Sequence, residues 1–255
     1  MRHGFIGYGN VIKAIHAYLQ KIGEKEFTYI SRTNSENSIK CSKSINKLVE
    51  NSDIIWLGIK PQNLDQVLNV LSKTNINEKL FVSPVAGKRI TYIEQTLGQE
   101  TSIIRIMPNL ALEFGNSVTA YTTNNIQHKH KNEVKRLLQS SGQLIEIDET
   151  HFDLFTAIFG SGPAFLLKLI DVQKNKIRQL GLEDNQMNNM LAGLLEGTAA
   201  YYRNNCNRLS IDELITNIAS KGGTTEAGLN YLNENHIDKH FENVINMAQK
   251  RSTEL

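Results

Sequence analysis

Phe5-Ile6-Gly7-Tyr8-Gly9-Asn10-Val11 decides how the front half of this chain folds. An apolar run enters a glycine turn, and Val11, Ala14, Ile15, Tyr18, Leu19 and Ile22 then recur at helical spacing. Strand, tight turn and amphipathic helix in that order suit a dinucleotide pyrophosphate. Gly7 permits the turn, and Gly9 lets the backbone approach the anion without a Cβ in the way. The helix after the turn presents unpaired amides and a partial positive charge. The third glycine of the usual fingerprint is missing, and Ile12 stands in its place. An ordinary strand-to-helix turn would carry the same GxG, so the context carries most of the weight.

Working outward, strands and helices alternate. His3 to Gly7 reads as the first strand and Phe27-Thr28-Tyr29-Ile30 as the second. Asp53-Ile54-Ile55-Trp56-Leu57-Gly58-Ile59 is apolar nearly throughout, as in a strand covered on both faces, and Pro61 closes it. A helix follows over 62–72. Leu80 to Ser83 and Ile103 to Ile106 read as further parallel strands. Ser117 to Thr123 and Gln143 to Ile147 read as two more, with a helix over 128–140 between them. Short strands alternating with helices predict a doubly wound sheet.

Beyond Asp148 the pattern turns helical. Pro163 opens a helix over 164–180 whose Phe165-Leu166-Leu167 is apolar almost all round and is expected to be buried. Met187, Met190, Leu191, Leu194, Leu195, Thr198 and Tyr202 mark another, and Ile237, Phe241, Val244, Ile245 and Ala248 a last one. So much apolar helix calls for a partner surface, and a dimer interface is the natural expectation.

Composition narrows the function classes. The 255 residues carry a net charge of +2, which makes no electrostatic case for nucleic acid or a membrane surface. Cys41 and Cys206 form neither a metal-ligand spacing nor a disulfide framework, so no metal is expected and a reduced, cytoplasmic compartment is the simplest reading. The first strand starts too near Met1 for a signal peptide, and the apolar runs read as shorter than the ~20 residues that span a bilayer.

Cofactor choice turns on the end of the second strand. NAD sites place an acid there for the ribose hydroxyls. This chain has Ser31-Arg32-Thr33 and no acid until Glu36. A hydroxyl and a guanidinium suit a 2′-phosphate, which favours NADPH, with NADH possible but weaker. A second glycine signature, Ser220-Lys221-Gly222-Gly223-Thr224-Thr225, could offer hydroxyls and amides to a small carboxylate. Equally, it could be a turn with Thr224 as N-cap.

These segments are part of a longer likeness: the chain resembles the pyrroline-5-carboxylate reductase family along nearly its whole length. FIGYGNVIKAI from Phe5 is similar to that family's FIGxGNMxxAI. Ile59-Lys60-Pro61-Gln62 resembles its VKPQ turn, and Arg105-Ile106-Met107-Pro108-Asn109 its RxMPN stretch. Phe159-Gly160-Ser161-Gly162-Pro163-Ala164-Phe165 resembles SGSGPAY, and Ser220 onward SPGGTT.

The resemblance implies an α/β Rossmann domain over 1–150, followed by an all-α dimerisation and substrate domain over 151–255. It implies NADPH-dependent reduction of a cyclic imino acid, the last step of proline biosynthesis, by a homodimer or a larger assembly of dimers. Gly7, Tyr8, Gly9, Asn10 and Val11 would hold the pyrophosphate, and Ser31 and Arg32 the 2′-phosphate. Ile59, Lys60, Pro61 and Ala86 would line the nicotinamide ribose, with Asn109 and Asn217 near the nicotinamide. Ser220, Gly222, Gly223 and Thr225 would hold the substrate, the Thr225 hydroxyl being the catalytic group on the ring nitrogen. Asp171 occupies a position where the family usually has an acid. A protonated imine is already a strong electrophile, so the cofactor carries the hard step and the protein orients it. The seven histidines are then no sign of acid catalysis, and His128 and His130 are expected on a solvated helix face.

Departures keep two alternatives open. Lys221 replaces the family proline, Leu110 the threonine after MPN, and Pro84 with Lys88 alter the SxxAGV segment. A dinucleotide-binding paralogue that lost turnover, or changed its substrate, fits such changes. β-Hydroxyacid dehydrogenases share the layout but need a lysine where Leu166 stands.

Overall fold

A computed structural model describes residues 1–32, 39–124, 126 and 128–255; Thr33 and Glu36 lie outside them. The chain packs as two compact units, Met1–Gly162 with Asn246–Leu255, and Pro163–Ile245. By packing, the end of the last helix belongs with the first unit.

The first unit is built on one sheet of eight strands: β1 (Arg2–Ile6), β2 (Glu26–Ile30), β3 (Lys40–Cys41), β4 (Ile54–Leu57), β5 (Leu80–Ser83), β6 (Ser102–Met107), β7 (Ser117–Thr123) and β8 (Gly142–Glu146). Their order is β3-β2-β1-β4-β5-β6-β7-β8. All neighbours run parallel except β6 and β7. That antiparallel pair is a consequence of chain length. The connection 108–116 is shorter than the dozen or so residues a parallel crossover needs.

Helices cover both faces, and β4 shows why its sequence is apolar throughout. Ile54 and Trp56 join a core with Phe5, Ile12, Ile15 and Leu19 beneath α1 (Asn10–Lys21) and α5 (His128–Leu138). Ile55 and Leu57 join the opposite core with Leu48, Leu68 and Ile93 beneath α2 (Ile45–Glu50), α3 (Leu64–Leu71) and α4 (Ile90–Leu97). Successive side chains alternate across a strand, so a strand buried on both faces must be hydrophobic at every position.

A short helix, α6 (Phe152–Phe155), leads into a π-turn over Thr156–Gly160 that Ser161 N closes on Thr156 O at 2.8 Å. Five helices complete the chain: α7 (Gly162–Ile177), α8 (Asp184–Asn205), α9 (Ile211–Ile218), α10 (Thr224–Glu234) and α11 (Ile237–Thr253). Among the hydrophobic residues of the second unit only Met187, Leu191 and Leu214 are buried. Phe165-Leu166-Leu167, expected inside, is not: Leu166 is 53% and Leu167 62% exposed in the single chain. Glu149–Leu180 is also long and apolar enough by composition to cross a bilayer, contrary to the expectation of shorter runs.

Candidate functional site

The order of the strands reverses at β1 and β4, and the crevice outside their carboxyl ends is where open α/β sheets hold ligands. Gly7-Tyr8-Gly9 leaves β1 there, and Gly58 to Pro61 leaves β4. Two backbone bonds pin these turns: Gly7 N donates to Ile30 O at 2.8 Å and Gly58 N to Ile6 O at 2.8 Å. Gly7 has φ +85°, and any Cβ there would run into the Gly58 carbonyl. At Gly9 the reverse holds, for a Cβ would meet nothing within 4 Å. Open space therefore faces the turn where a phosphate would lie. Gly9 is the N-cap of α1, with no side-chain cap bond and no acid in the first turn. The first intrahelical bond is Lys13 N to Gly9 O, so the amides of Asn10, Val11 and Ile12 have no partner within the helix. An uncapped helix N-terminus behind a turn whose one side chain, Tyr8, is buried fits a dinucleotide pyrophosphate.

The missing third glycine has a structural answer. Its usual work is to let the helix pack closely on the sheet. Here Ile12 is buried, and the room comes from Gly58 at the end of β4, where a Cβ would overlap Ile12 Cγ1. The small residue has moved from the helix to the neighbouring strand.

Asn10 and Val11 are exposed at the mouth of this crevice. Tyr8 is not; its ring turns into the core, leaving only backbone for a ligand. Ser31 and Arg32 come after β2 at the same edge, and the Arg32 guanidinium donates to Gln66 Oε1 on α3. Ile59 packs against the core, exposed Lys60 caps the turn Pro61–Asn63, and Pro61 sits at its first position. Ala86 lies after β5, where Gly87, at φ +72°, is covered by the Ser252 carbonyl from the last turn of α11. Ser252 Oγ in turn donates to Asp153 Oδ1 at 2.6 Å.

Asn109 has a clear structural task. Its Oδ1 accepts from Ala111 N at 3.0 Å, and its Nδ2 donates to Phe159 O at 3.0 Å. The amide thus ties the end of β6 to the π-turn, and both ends of it are engaged. Arg105, four residues earlier, is 2% exposed, stacks over Phe152 at 4.5 Å and donates to Glu149 Oε1 at 2.9 Å. The same oxygen accepts from Ile90 N at 2.8 Å, so the pair fixes the start of α4. The RxMPN resemblance thereby acquires a mechanical meaning in this chain: it anchors the connections that leave β5 and β6.

In the second unit, Ser220 to Gly223 joins α9 to α10. Gly222 has φ +74°, and Gly223 N donates to Ser220 O at 2.9 Å. A Cβ on Gly223 would collide with Ser220, which explains why glycine stands there. The N-cap of α10 is Gly223, not Thr224, and it makes no side-chain cap bond. Thr224 and Thr225 open the helix with both side chains exposed. The first intrahelical bond is Ala227 N to Gly223 O, which leaves the Thr224 and Thr225 amides without helical partners. Gly222 N is already engaged, by Glu226 Oε2 at 2.7 Å. Asn217 is exposed on the last turn of α9. Asp171 is exposed on α7 and pairs with Lys168 at 3.1 Å.

Three buried histidines carry no sequence signal of their burial. His130, expected in solvent, is only 9% exposed, and burial lowers its pKa. His3 lies beneath the sheet end, where Trp56 Nε1 donates to its Nδ1 at 3.2 Å. Indole is a donor only, so the His3 proton sits on Nε2 and reaches Glu24 Oε2 at 3.1 Å. His16 meets the Tyr8 hydroxyl at 2.6 Å. No cluster of metal-ligating side chains occurs among the described residues, and both cysteines are free.

Comparison with known proteins agrees at both ends of the chain. Residues 2–87 match the family model described as NADP oxidoreductase, coenzyme F420-dependent, and residues 149–255 match pyrroline-5-carboxylate reductase dimerisation. Pyrroline-5-carboxylate reductase of Staphylococcus epidermidis is 35% identical over all of this chain and 98% of its own length. That of Staphylococcus aureus is 33% identical over the same shares. The crystal structure of Plasmodium falciparum pyrroline carboxylate reductase with NADP bound is 26% identical and superimposes with a TM-score of 0.93, covering 99% of this chain and 97% of that one. The Streptococcus pyogenes enzyme, 25% identical, gives 0.89 over 100% and 99%. The chain belongs to the pyrroline-5-carboxylate reductase family.

Proposed function

We propose that this protein reduces 1-pyrroline-5-carboxylate to L-proline with NADPH, the last step of proline biosynthesis, as a cytoplasmic homodimer or an assembly of dimers. The observation that carries the reading is the pairing, in one family member, of two open amide sites. One is the Gly9 turn before an uncapped α1, and the other the Ser220–Thr225 loop before an uncapped α10. The first suits a pyrophosphate and the second a substrate carboxylate.

When bound, the dihydronicotinamide supplies the hydride that reduces the imine carbon. The chain's own groups bind and orient. The Asn10 to Ile12 amides and the α1 dipole take the pyrophosphate, and Ser31 with Arg32 take the 2′-phosphate. Lys60, Pro61 and Ala86 line the ribose, with Asn109 holding the adjoining π-turn in place. Asn217 belongs to the nicotinamide end. The Thr224 and Thr225 amides, beside Ser220, Gly222 and Gly223, take the carboxylate, the Thr225 hydroxyl holds the ring nitrogen, and Asp171 contributes the acid of α7. Leu166, Leu167, Leu169 and Val172 are all more than half exposed in the single chain and belong to the segment matching the dimerisation family. Their apolar face is assigned to the partner subunit rather than to lipid.

Purified protein tested with 1-pyrroline-5-carboxylate and either cofactor separates the readings. The expected result is proline formation, faster with NADPH than with NADH, by a species of twice the chain mass or more in light scattering. Tight NADPH binding without turnover would instead favour the non-catalytic paralogue.

A further inference from the structure

We propose that His16 is a positioning residue for the dinucleotide turn and acts on it through Tyr8. The inference rests on the reading that the Gly7–Val11 turn binds the cofactor, and it assigns that turn a rigid anchor.

Gly7-Tyr8-Gly9 has one side chain between two glycines, so beyond its backbone bonds Tyr8 is its only side-chain hold on the body of the protein. That side chain points away from the ligand. The Tyr8 ring is 9% exposed, lies 5.0 Å from the Tyr29 ring and meets Phe5 edge-on at 6.1 Å. Its hydroxyl ends 2.6 Å from His16 Nδ1. His16 lies on the buried face of α1, 6% exposed, edge-on to Phe27 at 4.5 Å and to Phe5 at 5.7 Å. Its ring cannot swing without displacing those neighbours. Burial lowers the pKa of the imidazole and raises that of the phenol, so both partners are neutral at pH 7. Either tautomer of the imidazole keeps the bond, because a hydroxyl can donate or accept.

The consequence is geometric. The Asn10 to Ile12 amides follow directly on a turn whose only side chain is bolted to the body of the same helix. Freed of that bond, the turn samples other positions, and the cost of re-ordering it appears in cofactor binding rather than in the chemical step. His16 Nε2 is buried without a partner. A group left unsatisfied on one side is a costly choice for packing alone, and it is consistent with a ring retained for the bond it makes on the other.

Titration with NADPH, read by its fluorescence, tests this on the full-length protein with four variants. Tyr8→Phe keeps the ring and removes the hydroxyl; it should raise Kd by about three- to tenfold, the worth of one buried hydrogen bond. His16→Leu should match it, and the double variant should be no worse than either alone. His16→Gln, which can still bond the hydroxyl, should recover most of the affinity. The effect should fall on Kd and on KM for NADPH, not on kcat or on KM for the imine. Gly9→Ala is the reference: a Cβ there touches no protein atom, so its loss of NADPH binding reports the ligand directly. If Gly9→Ala weakens binding while Tyr8→Phe does not, the anchor is refuted and the cofactor site stands. If Gly9→Ala binds normally, the cofactor-site reading itself fails. Should His16→Leu not fold, Tyr8→Phe alone decides.

Discussion

Ile12 and Gly58 share one small volume: the Ile12 side chain lies where a Cβ on Gly58 would be. Their contact joins the first helix to the end of β4 at the point where the sheet reverses its strand order. The Gly7–Gly9 turn is thereby braced from the strand beside it rather than by a glycine of its own helix.

Gly58→Ala should therefore destabilise the protein by about 1–3 kcal/mol, the usual cost of overpacking a core. Ile12 has no room to retreat, being 1% exposed. It should also weaken NADPH binding, because the turn that would shift is the one proposed to face the phosphate. Ile12→Ala, which removes the overlapping Cγ1, should cost less stability on the Gly58→Ala background than it does alone. Urea unfolding of the four proteins measures the coupling. Additive effects would mean that the two residues do not share the volume.

Much of this arrangement is legible in the sequence, for reasons that can be named. The strand signal of Ile54–Leu57 is unambiguous because a strand covered on both faces has no polar positions to blur it. The Gly7 turn is legible because only glycine accepts φ +85° with a carbonyl at its back. By contrast, the replacement for the third glycine cannot be read from the chain alone. Gly58 is distant in sequence, and the reason for it exists only once β1 and β4 pair. His3 and His16 escape a sequence reading because polar residues give no periodic signal, and their partners Trp56, Glu24 and Tyr8 are brought to them by the fold. α9 does leave a signal that the apolar periodicity overlooks: Ser210-Ile211-Asp212-Glu213 spells a capping box, which the structure forms in full.

The charge of the cofactor edge yields a second prediction. Arg32→Ala should raise KM for NADPH by about tenfold, on the scale of one charge-assisted bond, and leave that for NADH nearly unchanged. Gln66→Ala releases the guanidinium from its present partner and should leave NADPH binding equal or tighter. Steady-state kinetics with both cofactors decides. Equal effects on the two would show that Arg32 does not touch the 2′-phosphate.

Acid should loosen the first unit in two stages. Burial lowers the His3 pKa, so the stability of its neutral form is complete above the ordinary 6.5 and drains away as pH falls below it. Protonation also ends the acceptance from Trp56 Nε1. Burial alone would raise Glu24, but hydrogen bonds from Arg136, at 2.6 Å, and from His3 outweigh it and hold the carboxyl at about 2. Its contribution is complete above the ordinary 4.5 and is lost as pH falls from there toward 2. With Arg136 half solvated, this second stage is worth on the order of 1–2 kcal/mol. Trp56, the only tryptophan, supplies the fluorescence signal for urea unfolding at successive pH values. Glu24→Gln should be less stable at neutral pH and should lose the slope between pH 4.5 and 2. A variant that kept the slope would place its origin elsewhere.

The Thr225 loop offers the most direct test of the proposed chemistry. If the Thr225 hydroxyl holds the imine nitrogen, Thr225→Ala removes a charge-assisted bond worth ~1.5–3 kcal/mol, and kcat/KM for the imine should fall by about tenfold to a hundredfold. Binding of NADPH should barely move, because the amides proposed for the pyrophosphate belong to α1. Thr224→Ala is the control. Thr224 is the first residue of α10 and not its cap, so this change should shift stability by less than ~0.5 kcal/mol and leave turnover intact. Glu226 adds a third arm. Its carboxylate already holds Gly222 N at 2.7 Å, where it would compete with the proposed substrate carboxylate and repel it. Glu226→Gln keeps an acceptor for the amide but removes the charge, so KM for the imine should drop by about two- to fivefold at unchanged cofactor affinity. A Thr225→Ala protein with undiminished kcat/KM would make the loop a helix start and nothing more, and the substrate site would have to be sought elsewhere.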